Sequence, residues 1–278
     1  MLASLRYWLF RLTSALRWYA RARTRYDVHS PYLSEFIREV YTDDRKYHVF
    51  YLVRQLRRYW SRQRQMVQLQ SLGAPSRTTR RSSRTAASLV RSNAIRSKQG
   101  EFLFRLAVWL RPERIIELGS TAGISTVYLH GADTRTPLDT VEGNPEVAAL
   151  AQETFRQAGV SPQLRASMAT FHDWLAGQPT PPPTRLLAFI DGDHRYQPTL
   201  DYVEQLLGWA NDESVLVVAD IHWSRGMERA WGELQRHPRV RAAVDTYQFG
   251  LLFLRPELNG PRVELIPTRF KPWRIGFF

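Results

Sequence analysis

The sequence predicts an α/β fold: a doubly wound, mostly parallel sheet preceded by an N-terminal helical extension. Three observations predict it. From Gln99 onward, short apolar runs alternate with segments of helical periodicity, the pattern of parallel strands joined by helices packed on both faces. Before that point the chain is arginine-rich and shows no such alternation. Its 278 residues suffice for one α/β domain plus roughly a hundred further residues.

At the N-terminus, Leu2, Leu5, Leu9, Leu12, Leu16 and Tyr19 recur at steps of three and four, with Arg6, Arg11, Arg17 and Arg21 largely off that stripe. This is an amphipathic helix. Its stripe is expected to dock on the rest of the protein or on a second copy, the commoner use; the alternative is a membrane interface with Trp8 and Trp18 as anchors. After a break at His29-Ser30-Pro31, a short helix runs through Phe36 and Val40. A longer one spans about Tyr47 to Met66 and carries Arg54, Arg57, Arg58, Arg62 and Arg64. Ser71–Arg84, rich in serine and arginine with Gly73 and Pro75, reads as a polar connector. It divides a basic helical extension, residues 1–84, from a ligand-binding domain, residues 85–278.

In that domain, helix Glu101–Leu110 precedes strand Arg114–Leu118. There follow helix Ile124–His130, strand Leu138–Glu142, helix Pro145–Gln157, a short strand near Leu164, strand Leu186–Ile190, helix Tyr196–Trp209 and strand Ser214–Ala219. Beyond Met227, a helix and two β-like runs, Val240–Tyr247 and Gly250–Leu254, complete the sheet through a hairpin around Phe249-Gly250.

The net charge of +13 is unevenly placed: residues 1–100 hold 21 Lys and Arg against 5 Asp and Glu, an excess of +16, while the remainder holds 18 against 21. Such asymmetry suggests an anionic partner, a membrane surface or nucleic acid. It is explained equally well by an arginine-biased composition with basic solvated faces, since only Lys46, Lys98 and Lys271 are lysines. The absence of cysteine excludes disulfides, thiolate nucleophiles and cysteine-ligated metals. No run is apolar enough to span a membrane, and Arg6, Arg11 and Arg17 interrupt any signal-peptide core. A cytoplasmic location is expected, with peripheral membrane attachment as its variant.

Open α/β sheets bind ligands beyond the carboxyl ends of their strands. The first strand runs into Glu117-Leu118-Gly119-Ser120-Thr121-Ala122-Gly123, where Gly119 and Gly123 let the backbone approach a ligand closely before a helix begins. The spacing is G-x-x-x-G, so the pyrophosphate fingerprint of dinucleotide enzymes is missing. Glu142 ends the second strand, 25 residues after Glu117, where a carboxylate can accept both hydrogen bonds of a ribose. Further on, Asp191-Gly192-Asp193-His194 and Asp220-Ile221-His222 end two strands, so three carboxylates and two imidazoles converge at one rim. Alone, Asp193 reads as the cap of the next helix and His222 as packing against Trp223. His194 is the candidate base, its ordinary pKa lying near neutrality.

In this order and spacing, RIIELGSTAGIST, DTVEGNP, LRAS, FIDGDHRY and VLVVADIHW resemble class I methyltransferases of the catechol O-methyltransferase type. The match covers about residues 93–255. The whole chain, including HSPYLSEF and SLGAPSR, is similar to a bacterial group of these enzymes. The resemblance implies a Rossmann-like methyltransferase fold with S-adenosylmethionine as cofactor. By the same resemblance, Glu117 and Gly119 approach its methionine part, with Gly123 in the same turn; Ser125 meets its carboxylate, Glu142 its ribose and Ser167 its adenine. Asp191 belongs to both the cofactor site and, with His194, the catalytic edge. A lysine lies near the His194 position in the family, but the loop here is one residue shorter. The family also holds magnesium with two aspartates and an asparagine; here Asp191 and Asp220 match and Ile221 replaces the asparagine. A divalent metal is therefore not expected.

Methyl transfer is an in-line displacement, so the protein supplies alignment and, for a hydroxyl acceptor, a base. The leading expectation is O-methylation of a small-molecule or lipid-like acceptor, with the N-terminal helices as a cap. Two alternatives compete: an RNA methyltransferase whose arginines grip phosphates, and a non-catalytic protein that docks on membranes. Intact Glu117, Gly119, Gly123 and Glu142 speak against the second. The acceptor and the oligomeric state are not legible.

Overall fold

The computed structural model describes residues 2–69, 83–268 and 271, with residues 2–5 as helix backbone. Helix α1 spans Leu2–Arg21. Pro31 opens α2, Pro31–Phe36, whose N-cap Ser30 accepts a hydrogen bond from the Leu33 N–H. A π-helical turn over Ile37–Tyr41 continues it. Helix α3 spans His48–Ser61 and stops five residues short of the expected Met66. The arginines and glutamines beyond Ser61 favour helix, yet the chain turns at Arg62 and runs back as β1, Met66–Gln68. That strand pairs antiparallel with β2, Ser83–Thr85, Met66 opposite Thr85, and Val67 is the residue it buries. Of the expected connector Ser71–Arg84, only Ser83 and Arg84 lie within the described residues.

Thr85 caps α4, Ala86–Asn93, and α5 covers Ser97–Leu110. The alternating part then follows the sequence closely: β3 Arg114–Leu118, α6 Ile124–His130, β4 Leu138–Glu142, α7 Pro145–Ala158, β5 Leu164–Met168 and a short α8, Phe171–Ala176. After these come β6 Leu186–Ile190, α9 Tyr196–Trp209, β7 Val215–Ala219 and α10 Arg225–Leu234. Strands β8, Ala242–Asp245, and β9, Phe249–Phe253, form the expected hairpin, and β10, Arg262–Glu264, adds an edge the sequence reading did not contain.

The strand order is β10-β8-β9-β7-β6-β3-β4-β5. Strands β5, β4, β3, β6 and β7 are mutually parallel, β9 is antiparallel to β7 and β8, and β10 is parallel to β8. The chain leaves β3 toward β4 and later returns on the other side as β6, so the order reverses at β3, where such sheets open a crevice. Alternation along the strands sorts the core. Ile115, Phe189 and Val217 pack under α2 to α7, and Ile116, Ala188 and Leu216 pack under α8 to α10.

Residues before 84 share this core. Phe36, Val53 and Trp60 are buried in the same apolar cluster as Ile115 and Phe189. Trp60 donates its indole N–H to Thr154 Oγ1 at 2.9 Å, and the buried Arg105 guanidinium meets Asp43 at 3.1 Å.

Candidate active site

The crevice at β3 is shaped by two glycines. Gly119 has φ +106°, and a Cβ there would lie 2.2 Å from the Asp191 carbonyl oxygen. Gly123 has φ +75° at the start of α6, where a Cβ would lie 2.6 Å from the Phe155 ring. Both positions thus need glycine for backbone conformation and for close approach.

Beneath the turn, Glu117 is fully buried. One of its oxygens accepts from the hydroxyls of Thr126 and Thr140, the latter at 2.6 Å, and the other, Oε1, has no partner among the described residues. Burial raises its pKa; the hydroxyls of Ser125, Thr126 and Thr140 oppose the rise. Glu142, at the end of β4, accepts the Thr121 N–H on Oε2 and the Asn144 N–H on Oε1, both at 3.0 Å. Burial raises its pKa as well, against the lowering by the Asn144, Thr121 and Gly143 amides. Ser167 lies half-buried on β5, opposite Val141 of β4.

Across the crevice, β6 and β7 end in strained turns. Asp193, His194 and Asp220 have φ values of +64°, +34° and +53°, a conformation costing about 1 kcal/mol or more per residue without glycine. The strain aims His194 at the crevice: its Nε2 lies 3.9 Å from Asp191 Oδ1 and 3.7 Å from Asp220 Oδ2. Burial lowers the His194 pKa, against Asp220 and Asp193, so the imidazole is neutral near pH 7. Asp191 is pushed well above the carboxylate range by burial first and then by Asp220, Glu117 and Glu142. Asp193 does not cap the following helix. Its carboxylate is held by Tyr202 Oη at 2.8 Å and by Arg195.

Asp191, His194 and Asp220 each present one ligand atom within 4.8 Å of the others. Ile221 lies fully buried in the apolar cluster under the sheet.

Residues 116–221 match the family of methyltransferase domains. Over 132 residues the chain is 30% identical to the catechol O-methyltransferase of Mycobacterium tuberculosis, an alignment covering 46% of this chain and 57% of that protein. Residues 116–221 are thus similar to methyltransferase domains, and the chain spans just over half the length of that relative. Two solved structures share the domain's fold. One is the O-methyltransferase TomG from Streptomyces achromogenes, in complex with S-adenosylmethionine, at 22% identity, TM-score 0.51, with 59% of this chain and 82% of that one covered. The other is an O-methyltransferase from Bacillus cereus in complex with S-adenosylhomocysteine, at 18% identity, TM-score 0.54, with 79% and 94% covered.

The α/β domain receives α1 on the same rim, through a face other than the leucines of the stripe. Within this chain the leucines of the stripe do not dock: Leu9, Leu12 and Leu16 are 58%, 57% and 58% exposed, and Trp8 beside them is 64% exposed. Of the stripe, Tyr19 alone packs, partly buried beside Trp18, and the side chains of Leu2 and Leu5 lie outside the described residues. The face that docks carries Tyr7, Arg11, Ser14 and Trp18. Tyr7 packs edge-on against Trp223 and Trp18 against Tyr247, while the Trp18 indole N–H reaches the Asp245 carbonyl at 3.3 Å.

Under α1 lies a buried ionic cluster centred on His222, which does more than pack against Trp223. Its Nε2 is 2.9 Å from Asp245 Oδ2 and its Nδ1 is 3.1 Å from Glu228 Oε1. Ser14 of α1 donates to Glu228 and lies 3.2 Å from His222 Nδ1, and the imidazole stacks on Tyr247 at 12°. Burial alone would lower the His222 pKa; hydrogen bonds to Asp245 and Glu228 outweigh it and raise the value to about 9. His222 is therefore a cation near pH 7 and cannot serve as a base. Beyond His222 itself, the sequence signal of this cluster is Asp245, an acid inside an apolar run, which the sequence reading did not single out. No described helix is long and apolar enough to cross a membrane.

Proposed function

We propose that the chain transfers a methyl group from S-adenosylmethionine to a hydroxyl oxygen of a small-molecule or lipid-like acceptor. Glu142 carries the reading. Each of its carboxylate oxygens accepts one backbone N–H, leaving a lone pair on each for the two hydroxyls of a ribose. In this reading the adenine lies by Ser167, while Gly119 and Gly123 shape the turn that the methionine part crosses toward Ser125 and Glu117. The unpartnered Glu117 Oε1 suits a cationic donor, since a buried acceptor left unpaired is costly. The cofactor supplies an electrophilic methyl on its sulfonium.

His194 takes the acceptor's hydroxyl proton on Nε2 as that oxygen gains the methyl group. Asp191 and Asp220 then flank the imidazolium, at 3.9 and 3.7 Å, and Asp220 favours its charge. Two carboxylates and an imidazole differ from the all-oxygen octahedron that magnesium prefers, so we assign the trio to proton transfer. Calorimetry with S-adenosylmethionine tests the cofactor site. Glu142→Ala should bind roughly tenfold or more weakly, two hydrogen bonds to a carboxylate being lost. No binding by the wild type, or equal affinity in the variant, overturns the reading.

A second element of the proposal is peripheral attachment to an anionic membrane, on the cytoplasmic side. The exposed Trp8, Leu9, Leu12 and Leu16, bordered by the exposed Arg6 and Arg17, suit a helix lying in the headgroup region. An RNA acceptor finds no use for those apolar side chains. Because α2 and α3 bury their apolar faces with the sheet, the basic extension 1–84 and the domain 85–278 act as one unit in this proposal.

A further inference from the structure

Resting on the reading above, the rim also says what sort of acceptor it takes. A cavity of about 250 Å³ opens there, lined at one end by Asp191 and Asp220, with Arg11, Trp223, Tyr247 and the exposed Arg96 among its other walls. The acidic end adjoins His194. The cavity's cationic lining comes from Arg11 of α1, from Arg96 ahead of α5 and from the His222 imidazolium.

Arg11 differs from the arginines that follow it on α1. Arg17 reaches Glu228 at 3.3 Å and Arg21 reaches Glu264 at 3.0 Å. Among the described residues no carboxylate pairs with Arg11. Its guanidinium lies 5.4 Å from the Trp223 ring centre and 5.9 Å from that of Tyr247, with one N–H directed to the His222 carbonyl at 3.4 Å. The acids that could have neutralised it are committed: Glu228 and Asp245 hold His222. A half-buried guanidinium against two aromatic faces keeps most of its donors free, and those donors form a planar fork that matches an oxyanion. Aromatic walls beside it favour a flat ligand.

Size narrows the choice. A cavity of about 150 Å³ accommodates a benzene molecule, so this one takes a single substituted ring and does not enclose a long chain. We infer that the acceptor is a small hydroxylated compound bearing a carboxylate or phosphate group, which Arg11 grips while the hydroxyl faces His194. Arg11 thereby acts as a specificity-determining residue contributed by the N-terminal extension.

The test uses the full chain saturated with S-adenosylhomocysteine and three probes of similar shape: 4-hydroxybenzoate, 4-hydroxyphenyl phosphate and the uncharged 4-hydroxybenzamide. Binding is followed by calorimetry. At least one anionic probe should bind about tenfold or more tightly than the amide, and the tighter of the two identifies the oxyanion. Arg11→Ala should remove that preference without changing amide binding, and Arg11→Lys should keep part of it. Equal binding of all three probes, failure of all three to bind, or an equal loss for all three in Arg11→Ala overturns the inference. Saturation with S-adenosylhomocysteine is measured first, so failure of the cofactor reading shows separately from failure of the acceptor inference.

Discussion

Gly119 and Asp191 meet across the point where the strand order reverses: a single methyl on Gly119 would stand 2.2 Å from the Asp191 carbonyl oxygen. That contact joins the turn assigned to the cofactor with the edge assigned to the proton. Gly119→Ala should therefore part the β3 and β6 ends and also strain a φ of +106°. We expect S-adenosylmethionine affinity to fall at least tenfold, with thermal stability reduced by several degrees, in line with about 1 to 3 kcal/mol of strain. Unchanged affinity would place the cofactor elsewhere.

His194 should show itself in a pH profile. Burial lowers its pKa and the neutral form is the active one, so methyl transfer should fall only as pH drops below the ordinary histidine range. A limb centred at or above about 6.5 would assign the base to another group. His194→Ala should lower turnover by about a hundredfold or more and leave cofactor affinity intact. A chelator should leave turnover unaltered; activity lost and then restored by a divalent cation would reassign Asp191, His194 and Asp220 as ligands.

His222 predicts a stability dependence of opposite sense. Its folded pKa, about 9, lies above the ordinary value, so its contribution is complete below about 6.5 and vanishes as pH rises through about 9. Wild-type melting temperature should fall more between pH 7 and 10 than that of His222→Gln, and the variant should already be less stable at pH 7. Parallel curves would mean that His222 is uncharged in the folded chain.

The exposed face of α1 predicts retention on vesicles. The full chain should float with phosphatidylserine-containing vesicles, and a chain beginning at Ala22 should do so less. Binding should weaken with salt, because each neutralised phosphate releases counterions. Retention of RNA without vesicle retention would favour the nucleic-acid alternative, and binding to neither would leave α1 a cap alone.

Strands β3, β4, β6 and the turn from Gly119 to Gly123 were legible because buried parallel strands write themselves as short apolar runs, and close backbone approach demands glycine. Glu142 was legible as the acid ending a strand. What lay hidden has a physical cause in each case. Hydrophobic periodicity finds the apolar face of a helix and presumes it buried, whereas α1 docks through Ser14, Arg11 and Trp18 and leaves Leu9, Leu12 and Leu16 outside. β10 is a three-residue edge strand whose single buried side chain is Val263, too little to register as a pattern. The charge of His222 depends on Asp245 and Glu228, which only tertiary structure brings to it.

Helix α1 turns one face to the cavity and the other to solvent, and its seat is polar. It rests on Ser14, the His222 cluster, two aromatic contacts and a small apolar cluster at Trp18, not on the extended apolar interlock that fixes α3. Two separate equilibria consequently share one piece of chain. Anything that steadies α1 from outside also steadies Arg11 inside, and by linkage the effect runs both ways with equal magnitude. If occupancy of the acceptor cavity steadies α1, it strengthens by the same factor whatever binds the exposed Leu9, Leu12 and Leu16.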